Sequence, residues 1–142
     1  MVNKSIISLD VGNRRIGVAL ANTTARLASP FTTIDRSTGD VWQALDKLIK
    51  DNNIDEVVIG LPRNMSGEDT EQTSIVMQFA EEFNQHFKLD TYFQDEAVTS
   101  VMAEEELKNR GVNYSKADID ALSATYILSD YLGEHYSRAA NE

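Results

Sequence analysis

The chain has 142 residues, of which 42% are hydrophobic and 25% are charged, and it contains no cysteine. This length and composition predict one globular domain over residues 1–142, and the lack of cysteine excludes disulfides, thiolate zinc sites and a thiol nucleophile. The net charge of −10 argues against non-specific nucleic-acid binding, which depends on Lys and Arg, but allows a local basic patch. Because no apolar run is long enough for a signal region or a membrane span, we expect a cytoplasmic protein with no membrane partner.

The N-terminal part of the chain predicts three antiparallel strands. An apolar run at 4–9 and an alternating pattern at 15–20 flank a turn that contains Gly12 and Asn13, which is typical of a β-hairpin. Residues 28–35 predict a weaker third strand, in which Pro30 is tolerated near a sheet edge or a strand start. These strands should form a meander.

The remainder of the chain alternates helices with strands and then ends in two helices. The predicted order is a helix at 40–51, a strand at 55–61, a helix at 71–87, a strand at 89–95, and helices at 100–110 and 116–135. Right-handed crossovers would make the two later strands parallel to the first. The sequence therefore predicts an α/β fold with a five-stranded mixed sheet flanked by helices.

Acidic residues occur at three places where a carboxylate needs a partner. Asp10 follows the first strand, the pair Asp95 and Glu96 ends the last strand, and Asp120 lies inside the apolar stripe of the final helix. A buried carboxylate costs folding energy unless it is paired, hydrogen-bonded or bound to metal. Because ligands in open α/β sheets lie beyond the C-terminal strand ends, the three places can converge there, and they predict a divalent-metal site.

Each acidic position also has a plainer structural interpretation. Asp10 could start the hairpin turn by accepting backbone N–H groups, and the pair Asp95 and Glu96 could form an ordinary charged strand end. Adjacent strand residues point to opposite faces, so only one of that pair should face the site, and alternation does not decide which. On the final helix, Asp118 lies opposite Asp120 and completes a capping-box variant with Ser115, which predicts a structural role for Asp118.

Basic and amide side chains accompany the acidic positions. The segment 60–67 is a strand end followed by a polar loop, and its Arg63 and Asn64 could contact phosphates together with backbone N–H groups. Arg14 in the hairpin and Lys116 at the start of the last helix fall in the same segments, and a guanidinium can bind two phosphate oxygens at once. The alternative is that this loop is only a surface connection.

Four motifs, in order along the chain, resemble those of the YqgF/RuvX family. They are residues 9–19 (LDVGNRRIGVA), residues 60–67 (GLPRNMSG), Asp95-Glu96 followed by Thr99, and Lys116 with residues 120–124 (DALSA). The resemblance implies an RNase H-like fold and a nuclease that matures the 5′ end of 16S rRNA; members have also been described as Holliday junction resolvases. It further implies that Asp10, Glu96 and Asp120 are the catalytic carboxylates and metal ligands, with Asp95 as the alternative to Glu96.

The chain departs from the family pattern at two positions. Ala97 stands where the family usually has arginine, and Ser66 stands where it usually has aspartate. The missing arginine removes a phosphate or ion-pair contact, which should affect substrate affinity more than metal binding.

These observations predict a hydrolase that uses one or two Mg²⁺ or Mn²⁺ ions to cleave phosphodiester bonds of structured RNA. Its partners would be pre-rRNA and the precursor of the small ribosomal subunit, and the protein would be a monomer or weak homodimer. Arg14, Arg63, Asn64 and Lys116 would position the phosphate backbone without reading bases. The alternatives are an endonuclease of branched DNA and an RNA- or ribosome-associated protein without turnover.

Overall fold

The computed structural model describes residues 3–64, 66–96 and 99–136, with the backbone alone at 99 and 100. The five strands are β1 (Ser5–Val11), β2 (Arg15–Asn22), β3 (Ser29–Asp35), β4 (Glu56–Pro62) and β5 (Asp90–Glu96). The helices in these ranges are α1 (Val41–Asp51), α2 (Glu71–His86), α3 (Thr99–Arg110) and α4 (Lys116–His135). The type and the order of these strands and helices agree with the prediction from the sequence.

The five strands form one mixed sheet in the order β3-β2-β1-β4-β5. β1, β2 and β3 pair antiparallel, while β4 pairs parallel to β1 and β5 pairs parallel to β4. The predicted meander with two added parallel strands is confirmed. Pro30 lies in β3, which is an edge strand, a position where proline is tolerated.

The end of β1 differs from the prediction. The first strand was expected to stop at Leu9, but its ladder with β2 continues through Asp10 opposite Gly17 and Val11 opposite Ile16. The turn is closed by a backbone hydrogen bond of 2.9 Å from the N–H of Gly12 to the carbonyl of Arg15. Because the turn is this tight, the strand extends two residues further and Asp10 lies within the sheet.

Apolar side chains cover both faces of the sheet. One face packs against α1 and α2 through a core that includes Leu9, Leu45, Ile59 and Phe83. The other face packs against α4 through Ala124, Ile127 and Leu128 among others. α3 lies on α4 and contributes Ala103 and Leu107 to a small separate cluster with Leu122.

Helix α4 is held to the sheet by polar contacts as well as by its apolar stripe. The hydroxyl of Ser8 in β1 donates to the carbonyl of Ala124 at 2.6 Å, and Thr33 in β3 donates to that of Ala117 at 2.7 Å. The helix begins with the predicted capping box, in which Ser115 and Asp118 satisfy each other's backbone N–H groups. The structural role predicted for Asp118 is thus confirmed, and the start of α4 is fixed in place.

A buried carboxylate at the opposite end of the sheet was not predicted. Glu56 at the start of β4 is only 2% exposed, and it accepts hydrogen bonds from Lys4 Nζ at 3.0 Å, Tyr136 at 3.0 Å and Tyr131 at 3.4 Å. Its charge is therefore matched by a cation and two hydroxyls. The network joins the C-terminal end of α4 to the N-terminal ends of the strands.

The described part of the chain contains no helix long and apolar enough to cross a membrane.

Candidate active site

The C-terminal ends of three adjacent strands meet at one edge of the sheet. Leu9 pairs in register with Ile59, and Pro62 with Glu96, so the ends of β1, β4 and β5 are level. Asp10 and Glu96 therefore lie near each other although 86 positions separate them in the numbering. The convergence of strand ends expected from the sequence is present.

Gly17 allows α4 to lie directly on the sheet beside Asp10. It is the cross-strand partner of Asp10 in β2. A Cβ atom at this position would stand 2.0 Å from the carbonyl oxygen and 2.4 Å from the carbonyl carbon of Asp120. Only glycine is compatible with so close a backbone approach, and this contact sets Asp120 next to Asp10.

Gly60 makes the corresponding space for Glu96. A Cβ atom on Gly60 would stand 2.9 Å from Glu96 Oε1 and 2.4 Å from Ile127 Cδ1. The Glu96 side chain therefore lies over β4, on the face of the sheet that α4 covers. Its neighbour Asp95 is exposed, as strand alternation requires.

The three carboxylates influence one another. The pKa of Asp10 is raised from its ordinary value of 3.8 to about 8, first by burial and then by the charges of Glu96 and Asp120 and a hydrogen bond to Glu96. A carboxyl group at this position is strained as an anion unless positive charge is nearby. Perturbed carboxylates of this kind are frequent at catalytic and metal-binding sites.

Arg15 supplies positive charge at one side of this group. Its Nε donates to Asp120 Oδ2 at 2.6 Å, and both side chains are largely shielded, with exposed fractions of 29% and 22%. Among the described residues, no group of three histidine or acidic side chains is close enough together to hold a metal ion. The donor set still fits a hard divalent cation, because it consists of carboxylate oxygens whose mutual repulsion a cation would relieve.

Arg63, predicted to contact phosphate, is paired with acidic residues. Its Nε donates to Asp95 Oδ1 at 3.0 Å and its Nη1 pairs with Asp69. Asn64 folds the adjoining loop, since its Oδ1 accepts the backbone N–H groups of Ser66 at 3.0 Å and Glu68 at 2.9 Å. Both residues thus have structural contacts, and their predicted role with phosphate stays a prediction.

The other two predicted basic residues lie on the surface near the carboxylates. Arg14 is 68% exposed and its Nε is 3.8 Å from Asp35 Oδ2, a weak contact. Lys116 lines a surface groove together with Arg15, Glu104, Ile119 and Asp120. Ala97 lies outside the described residues, so the effect of its departure from the family pattern has no structural account.

Sequence reasoning missed the residues that hold these elements in place. Gly17 and Gly60 were visible only as parts of motifs, although a glycine inside a strand is itself a signal of close approach. Arg36 and Gln72 were not singled out at all. They support the hairpin by donating to the carbonyls of Gly12 at 2.7 Å and Val11 at 3.2 Å.

The sheet order and the flanking helices define an RNase H-like fold. A similar solved structure is that of Thermus thermophilus RuvC in complex with a Holliday junction substrate, with a TM-score of 0.55 and 12% sequence identity, covering 94% of this chain and 97% of that one. At this identity the likeness concerns the fold alone.

The family follows from the sequence comparisons. The family described as "RuvX: Holliday junction resolvase" matches residues 4–134, and the chain belongs to this family. A relative from Chloroflexus aurantiacus, named "Putative pre-16S rRNA nuclease", is 39% identical over 135 residues, which are 93% of this chain and 88% of the relative. A relative with the same name from Rickettsia akari is 37% identical, and the match covers 93% of this chain and 88% of the relative. Another from Roseiflexus sp. is 39% identical, and the match covers 89% of this chain and 92% of the relative.

Proposed function

We propose that this protein is a divalent-metal-dependent nuclease that hydrolyses phosphodiester bonds of structured RNA and matures the 5′ end of pre-16S rRNA. The observation that carries the proposal is that Asp10, Glu96 and Asp120 lie at the same edge of the sheet, where burial and the charges of the other two raise the pKa of Asp10. The names of the relatives supply the substrate.

Asp10, Glu96 and Asp120 would hold one or two Mg²⁺ or Mn²⁺ ions. A metal ion held by these carboxylates would lower the pKa of a bound water and neutralise charge on the leaving oxygen. Glu96 is the ligand in preference to Asp95 because its side chain lies over Gly60 on the α4 side of the sheet, whereas Asp95 is exposed and paired with Arg63.

The basic residues around the carboxylates would orient the substrate backbone. Lys116 and the exposed Arg14 present charge at the rim of the site, and contacts of this kind fix register without reading sequence. Because the whole chain carries a charge of −10, RNA would approach productively only at this rim. We therefore expect binding to weaken steeply with salt.

Branched DNA is the second candidate substrate. The description of the family as a Holliday junction resolvase favours it. A protein that binds RNA without cleaving it is a further alternative, motivated by the net charge and by Ala97.

The test is a cleavage assay on two substrates in parallel, a precursor-rRNA fragment with its 5′ leader and a four-way DNA junction. Each is incubated with Mg²⁺, Mn²⁺ or EDTA, using the wild type and Asp10→Asn. The proposal expects metal-dependent cleavage of the RNA that the variant lacks. If the wild type cleaves only the junction, the substrate is branched DNA and not RNA. If the wild type binds the RNA without cleaving it, the assignment as a nuclease is wrong.

A further inference from the structure

The contact between Arg15 and Asp120 has a consequence for how the site acquires its metal. We propose that Arg15 is a positioning residue that neutralises Asp120 in the metal-free protein and that a divalent cation displaces it from the carboxylate. This inference rests on the proposed function, since it concerns the same carboxylates. It assigns to Arg15 a role different from phosphate binding by the neighbouring Arg14.

The ion pair uses one of the two carboxylate oxygens of Asp120, Oδ2. Arg15 Nε approaches Asp120 Oδ2 to 2.6 Å, and a cation bound to that oxygen would meet the guanidinium at a distance where two positive charges repel. The carbonyl group of Asp120 lies close to Gly17, so a movement of α4 that separated the two partners would disturb this packing. A cation that binds Oδ2 therefore displaces the guanidinium from Asp120.

The three carboxylates lie at one edge of the sheet, and Asp120 is bound by Arg15. Asp10 and Glu96 share a hydrogen bond, and Asp120 acts on Asp10 through its charge. Release from Arg15 would make Asp120 Oδ2 available to a cation shared with Asp10 and Glu96.

Arg15 has space to move once it is released. Its side chain lines the surface groove that also contains Lys116 and Glu104. Within the described residues, the side chain of Arg15 forms a hydrogen bond with one other side chain, that of Asp120. Turning into this groove therefore breaks one side-chain hydrogen bond, and Arg15 also interacts electrostatically with Asp35 in its present position.

The first test measures Mn²⁺ binding directly, by calorimetry or electron paramagnetic resonance, in the wild type, Arg15→Gln, Arg15→Lys and Arg14→Gln. Removing the competing guanidinium should tighten Mn²⁺ binding about fivefold in Arg15→Gln, as expected for loss of a partly shielded ion pair. Arg15→Lys keeps the charge and should lie between that variant and the wild type. Arg14→Gln removes the same charge one residue away and should stay within about twofold of the wild type.

Several results would overturn the proposal. Equal or weaker Mn²⁺ binding by Arg15→Gln would show that Arg15 does not compete with the metal, while leaving the nuclease assignment intact. An equal gain in Mn²⁺ affinity in Arg14→Gln would show that the effect comes from long-range charge and not from the contact between Arg15 and Asp120. A wild type that binds no Mn²⁺ would refute both this inference and the metal-dependent nuclease.

A second measurement needs no variant and therefore does not depend on whether Arg15→Gln folds. The Nε–H signal of Arg15 is followed by nuclear magnetic resonance while Mg²⁺ is added to the wild type. We expect this signal to shift or broaden by exchange with solvent as the metal saturates the site. A signal that is unchanged at saturation would contradict displacement.

Discussion

The metal-free protein should become more stable when Asp10 is replaced by asparagine. Burial and the charges of Glu96 and Asp120 raise the pKa of Asp10 from 3.8 to about 8. The native chain therefore keeps a proton on Asp10 in a pH range where the unfolded chain has lost it. The stability linked to Asp10 is complete below about pH 4 and is lost as the pH rises towards about 8.

The size of this effect follows from the two pKa values. Each pH unit between them removes about 1.4 kcal/mol from the free energy of unfolding, so at pH 7 the loss is at most about 4 kcal/mol. Relaxation of the partly buried group and entry of water lower this ceiling. We expect Asp10→Asn to be more stable than the wild type by about 1–3 kcal/mol at pH 7, with a Tm higher by roughly 3–10 °C.

The assay is urea unfolding in EDTA at several pH values between about 4.5 and 8, where the midpoint and slope give the free energy of unfolding. The stability difference between Asp10→Asn and the wild type should be small at the acid end and grow with pH. Asp90→Asn, at the exposed start of β5, serves as the control and should keep the wild-type pH dependence. The reasoning would be refuted if Asp10→Asn were no more stable than the wild type near pH 8. It would also be refuted if the stability difference between the two proteins did not change with pH.

Three further substitutions separate the parts of the account. Gly17→Ala forces a methyl group into the backbone of Asp120, so α4 must shift; we expect a loss of about 1–3 kcal/mol in urea unfolding and a strong loss of cleavage. Glu96→Gln should abolish cleavage, whereas Asp95→Asn should retain it, because only Glu96 lies on the α4 side of the sheet. Glu56→Gln should cost about 1–3 kcal/mol of stability while leaving the cleavage rate of the folded protein unchanged, since Glu56 lies at the far end of the strands.

Each of these has its own contrary outcome. The control for Gly17→Ala is Gly133→Ala in α4, where the space around the Cβ position is open. It should stabilise the protein by about 0.5–1 kcal/mol. A Gly17→Ala protein as active as this control would contradict the argument that α4 needs glycine at position 17. An active Glu96→Gln with an inactive Asp95→Asn would exchange their roles. A Glu56→Gln protein that is fully stable yet inactive would mean that Glu56 belongs to the function.

Most of the fold could be predicted because it depends on periodic patterns. Alternation and helical spacing gave the type and order of the elements, and the parallel strands placed Asp10 and Glu96 at one edge. The end of β1 was misjudged because the tightness of the hairpin depends on the pairing of Gly12 with Arg15, which no periodicity records.

The site was less predictable than the fold, because its details depend on contacts between distant parts of the chain. Helical periodicity separated Asp118 from Asp120 correctly, since capping is a local interaction. By contrast, the pairing of Arg15 with Asp120 joins β2 to α4, and the importance of Gly17 exists only because α4 lies on it. The catalytic roles of Asp10, Glu96 and Asp120 stay predictions.

The most direct measurement of the central claim compares two aspartates on one helix. Asp120 faces the other carboxylates, while Asp118, two residues before it, closes the capping box of α4. Cleavage of the pre-rRNA 5′-leader fragment is measured with Mg²⁺ or Mn²⁺ for Asp120→Asn and Asp118→Asn, each checked for folding. The account predicts that Asp120→Asn is folded and inactive while Asp118→Asn cleaves with at most a modest loss of stability; an active Asp120→Asn would contradict it.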